Sequence, residues 1–320
     1  MFKLDLSDAR SSVLGILREI NKVVVGKELL VKHMVATLIG GGHVLLEGPP
    51  GAAKTLLAKA IAKVIGGEFR RVQGNPDLLP TDLTGYYIRG LDGSVKFIRG
   101  PVFTNILMFD ELNRTPTRVQ SALLQVMAEY QVSVEGSTYD VPRPFHVIAT
   151  EVPTEEEFGT YPITLTLRDR FWIRYPVTYS SSEEEFEIVK RADKLYLTHI
   201  ADLETVVDIN EFGSLQDFIG KNVYVDERVI KYIVDLVNYI RNHHLVRLGP
   251  SHRGSIHLYR ISKALALING RDYVTPDDIK ELVNDVFNFR IVLRKEAEVE
   301  GKTPSDIINE ALNKVRVPKE

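Results

Sequence analysis

Apolar residues recur at helical spacing along the first forty positions. Val13, Leu14, Ile16, Leu17 and Ile20 mark an amphipathic helix within residues 8–22. Leu29, Leu30, Val31, Met34, Val35, Leu38 and Ile39 mark a second,. Between them Val23 to Lys27 reads as a brief extended segment with a glycine turn. Gly40-Gly41-Gly42 ends the second helix,. The pattern then changes to short strand candidates at 43–46, 69–73, 106–109, 145–149 and 171–175, of which 106–109 is apolar at every position, alternating with helical stretches such as 56–63 and 117–129. Runs that are apolar on consecutive positions belong to strands buried on both faces. Their alternation with helices predicts a parallel sheet covered on both sides. Two stretches break this rhythm, at about 86–99 and 131–141, where aromatic and β-branched residues flank turn residues. Both read as hairpins.

Beyond residue 178 the buried strand runs stop. Ser180-Ser181-Ser182 before three glutamates is a helix start with hydroxyl caps and acid in the first turn,. Asp226 caps a helix bearing Val229, Ile233, Leu236, Val237 and Ile240, residues 254–268 form another, and Thr275-Pro276-Asp277-Asp278 starts a third,. The division predicted is an α/β domain over 1–178 and a helical one over 179–320.

Composition adds only limits. The 320 residues carry a net charge of −3 with no strongly basic run, so nothing points to nucleic acid or an anionic membrane,. The absence of cysteine excludes disulfides and thiolate metal sites,. The first residues lack a basic flank and apolar core, and the longest apolar runs are too short to span a bilayer,. A cytoplasmic protein is the expectation.

The chemistry concentrates in one stretch. The apolar run Val44-Leu45-Leu46 leads into Gly48-Pro49-Pro50-Gly51-Ala52-Ala53-Lys54-Thr55 and then a helix-forming run from Leu56. Strand, glycine-rich turn, Lys-Thr and helix in that order is the plan of a phosphate-binding P-loop. Its glycines bring backbone N–H groups close to phosphate oxygens, and the helix start adds free donors and a positive dipole end. Lys54 is placed to reach the outer phosphates, and the Thr55 hydroxyl to bind Mg²⁺. Ala53 stands where the common pattern has glycine. Asp110-Glu111 closes the apolar run 106–109, at the sheet edge that carries the P-loop,. Asp110 is the second candidate Mg²⁺ ligand and Glu111 the candidate general base for an attacking water. His243 and His244 are adjacent in a helical reading and so face different ways, which excludes a shared metal by i, i+4 geometry.

With these motifs in place, the chain resembles the AAA+ ATPases and, within them, the MoxR group. The resemblance is carried by 41–48 before the P-loop, by Pro76-Asp77-Leu78-Leu79-Pro80-Thr81-Asp82-Leu83-Thr84-Gly85 after it, and by Gly100-Pro101-Val102-Phe103-Thr104-Asn105. It continues through Asp110-Glu111-Leu112-Asn113-Arg114, 120–125, 159–162, Asp169-Arg170-Phe171 and 270–276, so that it covers roughly residues 20 to 290. It implies a core with a five-stranded parallel sheet, a smaller all-α lid, ATP and Mg²⁺ as ligands, a homo-hexameric ring and a protein client, commonly one with a von Willebrand factor A-type domain. By the same resemblance Arg170 is the arginine finger that reaches a neighbour's γ-phosphate, with Arg168 as the second candidate. Arg253, in a sensor-2-like segment, would contact phosphates of its own chain, and Val24-Val25-Gly26 would pack on the adenine. The two hairpins match the family's inserts, which implies that Tyr86, Tyr87 and Arg89 grip a client.

One departure bears on turnover. The family's sensor-1 segment has asparagine where this chain has Val152, within Ala149-Thr150-Glu151-Val152-Pro153. Valine cannot orient a water or bond a phosphate, so slow hydrolysis with nucleotide binding kept is expected. Thr150 and Glu151 are the candidate substitutes. Two other functions compete with a client-remodelling ATPase: a scaffold that binds ATP and hardly turns it over, and a nucleic-acid motor.

Overall fold

The computed structural model describes residues 4–153, 160–190 and 200–318. Gly159 and residues 1–3, read above from the sequence, lie outside them. The chain opens with α1 (Leu6–Ile20), capped by the Asp5 carboxylate, and α2 (Glu28–Gly40), which ends on Gly41 in the left-handed conformation,. Residues 23–27 are irregular and bend at Gly26, whose φ is 70°, in keeping with the glycine turn expected there.

Five parallel strands follow in the order β2 (Phe69–Gln73), β5 (Ile106–Asp110), β8 (His146–Glu151), β1 (Val44–Glu47) and β9 (Ile173–Pro176). The unbroken apolar runs have a direct cause in this arrangement. In β5, Ile106 and Met108 enter one core while Leu107 and Phe109 enter the other. In β1, Val44 and Leu46 face the first core and Leu45 the second,. The first core also takes in α1, α2 and α3 (Lys54–Val64) and the helices of the C-terminal region. The second is covered by α5 (Thr117–Glu129) and the hairpins.

The hairpins pair β3 (Gly85–Arg89) with β4 (Val95–Arg99), and β6 (Gln131–Val134) with β7 (Ser137–Asp140). Tyr139 stacks on Phe97 with ring centroids 4.4 Å apart, and its hydroxyl lies 2.5 Å from that of Tyr87. Tyr87 is therefore spent joining the two hairpins, which corrects its reading as a client contact. Tyr86 and Arg89 remain exposed.

The C-terminal region is built of helices Ile209–Asn222, Glu227–Asn242, His252–Ile268, Pro276–Phe287 and Pro304–Lys314. Asp226 and Thr275 cap two of them as the sequence indicates. One expectation fails: an antiparallel ribbon pairs Val246–Leu248 with Val292–Leu293 inside this helical region. Strands this short are invisible to periodicity. His243 and His244 lie beyond the helix end at Asn242, so the opposite-faces argument does not apply. Their rings stack at 4.6 Å, and His243 pairs with Glu310.

Candidate functional site

The C-terminal ends of β1, β5 and β8 converge on a cavity of about 340 Å³. Its lining includes Pro50, Gly51, Ala52, Ala53, Lys54, Thr55 and Leu56 from the loop, Asp110 and Glu111 from the end of β5, and Val152 after β8. Gly48 does not line it but fixes the loop's course. Its φ is 157°, and a Cβ there would lie 2.1 Å from the Val177 carbonyl oxygen. The position is closed to any side chain. Ala53 caps α3 at φ 59°, in the left-handed region where glycine is free and alanine is strained by about 1 kcal/mol,. The departure noted in the sequence is thus a real backbone cost, carried at the mouth of the helix.

Lys54 donates from Nζ to the carbonyls of Gly48 and Pro49, at 2.7 and 2.6 Å. Those carbonyls satisfy the ammonium within the loop. Burial lowers its pKa below the ordinary lysine range, against the pull of Asp110 and Glu111,. The Thr55 hydroxyl donates to Asp110 Oδ2 at 3.4 Å. A hydroxyl and a carboxylate this close, beside a helix N-terminus, are hard oxygen donors that suit Mg²⁺, which takes few protein ligands and completes its shell with water and phosphate. The same loop N–H groups suit a polyphosphate.

Glu111 sits in the left-handed region, at φ 54° and ψ 51°. Its N–H donates to Thr150 Oγ1 at 2.8 Å, and that hydroxyl donates to Asp110 Oδ1 at 3.4 Å. One threonine thus orients both acidic residues. The Glu111 carboxylate meets Arg114 Nε at 3.0 Å. Val152 is held by its backbone. Asn113 donates from Nδ2 to its carbonyl at 2.8 Å and accepts its N–H at 3.2 Å. Glu151 is not free to replace the missing asparagine: Arg174 approaches its carboxylate at 3.0 Å and also pairs with Glu47. Burial pushes the Glu151 pKa up, opposed by Arg174 and Arg168.

A second cavity of about 500 Å³, lined by Gly26, Lys27, Leu30, Tyr175, Val177 and Thr178 among others, adjoins the loop where Val177 meets Gly48. Of the expected adenine segment only Gly26 lines it. Val24 is buried in the first core and Val25 stands outside the lining.

Arg253 stands apart from the expected phosphate site. It lines neither cavity. It lies 3.3 Å from Asp169, in a cleft shared with Arg168, Ser251 and Arg290. Ser251 donates to both Asp169 oxygens at 2.9 Å, and Arg290 Nε donates to Oδ1 at 3.1 Å. The buried Arg290 guanidinium also donates to the carbonyls of Phe171 (2.5 Å) and Trp172 (3.3 Å). Burial lowers its pKa to about 10. The helical region therefore grips the Asp169–Trp172 segment of its own chain, and the Arg253 helix start faces that segment instead of the P-loop. Burial and then Arg253 hold Arg170 below the usual arginine range. Its Nε is buried and has no hydrogen-bond partner among the described residues. Asn113, Arg290 and Arg71, which bonds Asp110, were not singled out in the sequence, and Thr150 only as a substitute for the missing asparagine. Only Arg71 left a signal, as a cation on the strand face shared with Gln73.

Residues 43–173 match the model of the ATPase family associated with various cellular activities, and 238–311 match an AAA lid domain. The chain is 41% identical to Uncharacterized protein YeaC of Bacillus subtilis strain 168, over 93% of this chain and 92% of that one. It is 39% identical to Chaperone MoxR1 of Mycobacterium tuberculosis, over 94% and 81%. A crystal structure from Cytophaga hutchinsonii, of a protein assigned as an ATPase, superposes with a TM-score of 0.90 at 38% identity, covering 98% and 97% of the two chains. Parallel sheet, P-loop, paired acids and helical lid agree with these likenesses: the chain belongs to the MoxR family of AAA+ ATPases.

Proposed function

We propose that the protein hydrolyses ATP to ADP and phosphate at sites completed between neighbouring copies, and uses the cycle to remodel or assemble a protein client. One observation carries the reading. Among the described residues, the cavity with Lys54, Thr55, Asp110 and Glu111 has no lid residue in its lining, while Arg253 lies beside the arginine-finger segment in a different cleft. Two cations displayed away from their own P-loop suit the phosphates of another copy's nucleotide. Arg170, the arginine of the Asp169-Arg170-Phe171 segment, is the finger in this reading, with Arg168 as the second candidate. When bound, ATP supplies the anhydride that breaks, and Mg²⁺ the charge that offsets its phosphates. Thr55 and Asp110 hold the ion, Lys54 leaves its loop carbonyls for the outer phosphates, and Glu111 takes a proton from the attacking water. A homo-hexamer is the assembly that closes such head-to-tail contacts in this family. The client, in line with the family resemblance, carries a von Willebrand factor A-type domain. Among the described residues no helix is long and apolar enough to cross a membrane.

The test is phosphate release by the wild-type chain with Mg²⁺, with and without duplex DNA. Release that needs Mg²⁺ and ignores DNA supports the proposal. Release raised by DNA with a steep salt dependence would favour a nucleic-acid motor. No release from either wild type or Glu111→Gln would leave a nucleotide-gated scaffold.

Val152 accounts for slow turnover in this reading, because its apolar side chain lines the cavity where the family has an amide. Val152→Asn is expected to raise phosphate release by roughly tenfold, the worth of one well-placed hydrogen bond made in the transition state. Nucleotide affinity stays near wild type. A variant no faster than wild type would remove Val152 as the cause.

A further inference from the structure

Arg71 has no role in the chemistry above, yet it is bonded to the middle of the site. It lies on β2, the edge strand, where Gln73 is in register with Asp110. Alternation along the strand puts Arg71 and Gln73 on one face. Both line the phosphate-side cavity. Arg71 Nε donates to Asp110 Oδ2 at 2.5 Å, and a terminal nitrogen donates to Gln73 Oε1 at 2.8 Å, which fixes the guanidinium plane. The end of the strand is pressed onto the acidic pair. Gly74 donates its N–H to the Asp110 carbonyl at 2.7 Å, and a Cβ on Gly74 would lie 2.2 Å from the Glu111 carbonyl oxygen.

The oxygen that Arg71 holds is also the one that Thr55 approaches. A metal bound by Thr55 and Asp110 would compete with Arg71 for that oxygen. Lys54 lies near enough to feel the charge of Asp110, but its hydrogen bonds go to Gly48 and Pro49, which leaves the direct bond to Arg71. About half of the Arg71 side chain is exposed, so it can swing away without opening the core.

We propose that Arg71 is a resident cation of the nucleotide site. It neutralises Asp110 until a magnesium ion displaces it, and so sets how strongly nucleotide binding depends on metal. The inference rests on the reading of this cavity as an ATP–Mg²⁺ site. In wild type, Arg71 lets nucleotide approach Asp110 without metal, since the carboxylate is already paired. Without Arg71 the bare carboxylate repels the phosphates until metal arrives.

The experiment titrates a fluorescent, non-hydrolysable ATP analogue into the full-length chain in Mg²⁺ and in EDTA. Mn²⁺ affinity of the nucleotide-saturated protein is read in parallel by electron paramagnetic resonance. In Arg71→Ala the ratio of metal-free to metal-bound dissociation constants is expected to rise by roughly fivefold, the upper scale of one partly exposed charge pair. Mn²⁺ should bind more tightly, and Arg71→Lys should stay near wild type. An unchanged ratio, or a loss equal with and without metal, would overturn the proposal and make Arg71 an ordinary phosphate contact or a structural residue. No nucleotide binding by wild type under either condition would instead overturn the reading of the cavity, and the inference with it.

Discussion

Glu111→Gln is expected to lower steady-state phosphate release by about a hundredfold or more, with nucleotide affinity changed less than about twofold. The amide keeps the size of the carboxylate. The backbone contact that places residue 111, its N–H on Thr150 Oγ1 at 2.8 Å, does not involve the side chain. What is lost is the ability to take a proton. The ion pair with Arg114 weakens, but both side chains are about a third exposed. A pair of that kind contributes at most about 1 kcal/mol, so the melting temperature should barely move. Phosphate release and nucleotide titration on the same preparation check both halves. A rate near wild type would show that another group activates the water. A large loss of affinity would mean that Glu111 holds nucleotide instead.

Arg170→Ala carries the second large effect. A guanidinium delivered to a transferring phosphoryl group is worth on the order of a thousandfold or more in rate. Arg170 is partly buried and feels the charge of Arg253, and its Nε, like that of Arg168, lacks a hydrogen-bond partner among the described residues. Burial and the charge of Arg253 both disfavour the Arg170 cation, and an anion would relieve that cost,. Arg170→Ala should therefore slow release by about a thousandfold while leaving the chain's own nucleotide affinity unchanged, because Arg170 does not line its own cavity. Arg168→Ala should cost far less than Arg170→Ala, since Arg170 is the arginine of the Asp169-Arg170-Phe171 segment. Equal losses from the two substitutions would remove the distinction.

The sheet and the P-loop were legible because their signals are local. Phe109 and Leu107 face one core and Met108 and Ile106 the other, so the strand is apolar at every position and cannot be mistaken for a surface strand. Asp110 and Glu111 were legible because charge follows directly on that run. What escaped depends on contacts between distant parts of the chain. Nothing near Arg253 in the sequence says that its helix start faces Asp169, 84 positions earlier. That placement is fixed by Arg290, whose guanidinium holds the carbonyls of 169–172. Thr150 was noted as a possible substitute for the missing asparagine, but its bond to the Glu111 N–H needs β5 and β8 side by side. Tyr87 looked like an exposed hairpin tyrosine because its partner Tyr139 is on the other hairpin, 52 positions away.

The central claim is that each active site is built from two copies of the chain. Mixing Glu111→Gln with Arg170→Ala tests it most directly. Each variant alone is inactive by the arguments above, but a mixed assembly contains interfaces where the intact Glu111 of one chain meets the intact Arg170 of its neighbour. The account predicts that phosphate release reappears on mixing and rises with the share of mixed interfaces. Mixed assemblies that form and still release no phosphate would contradict it, since Arg170 would then be serving the site of its own chain.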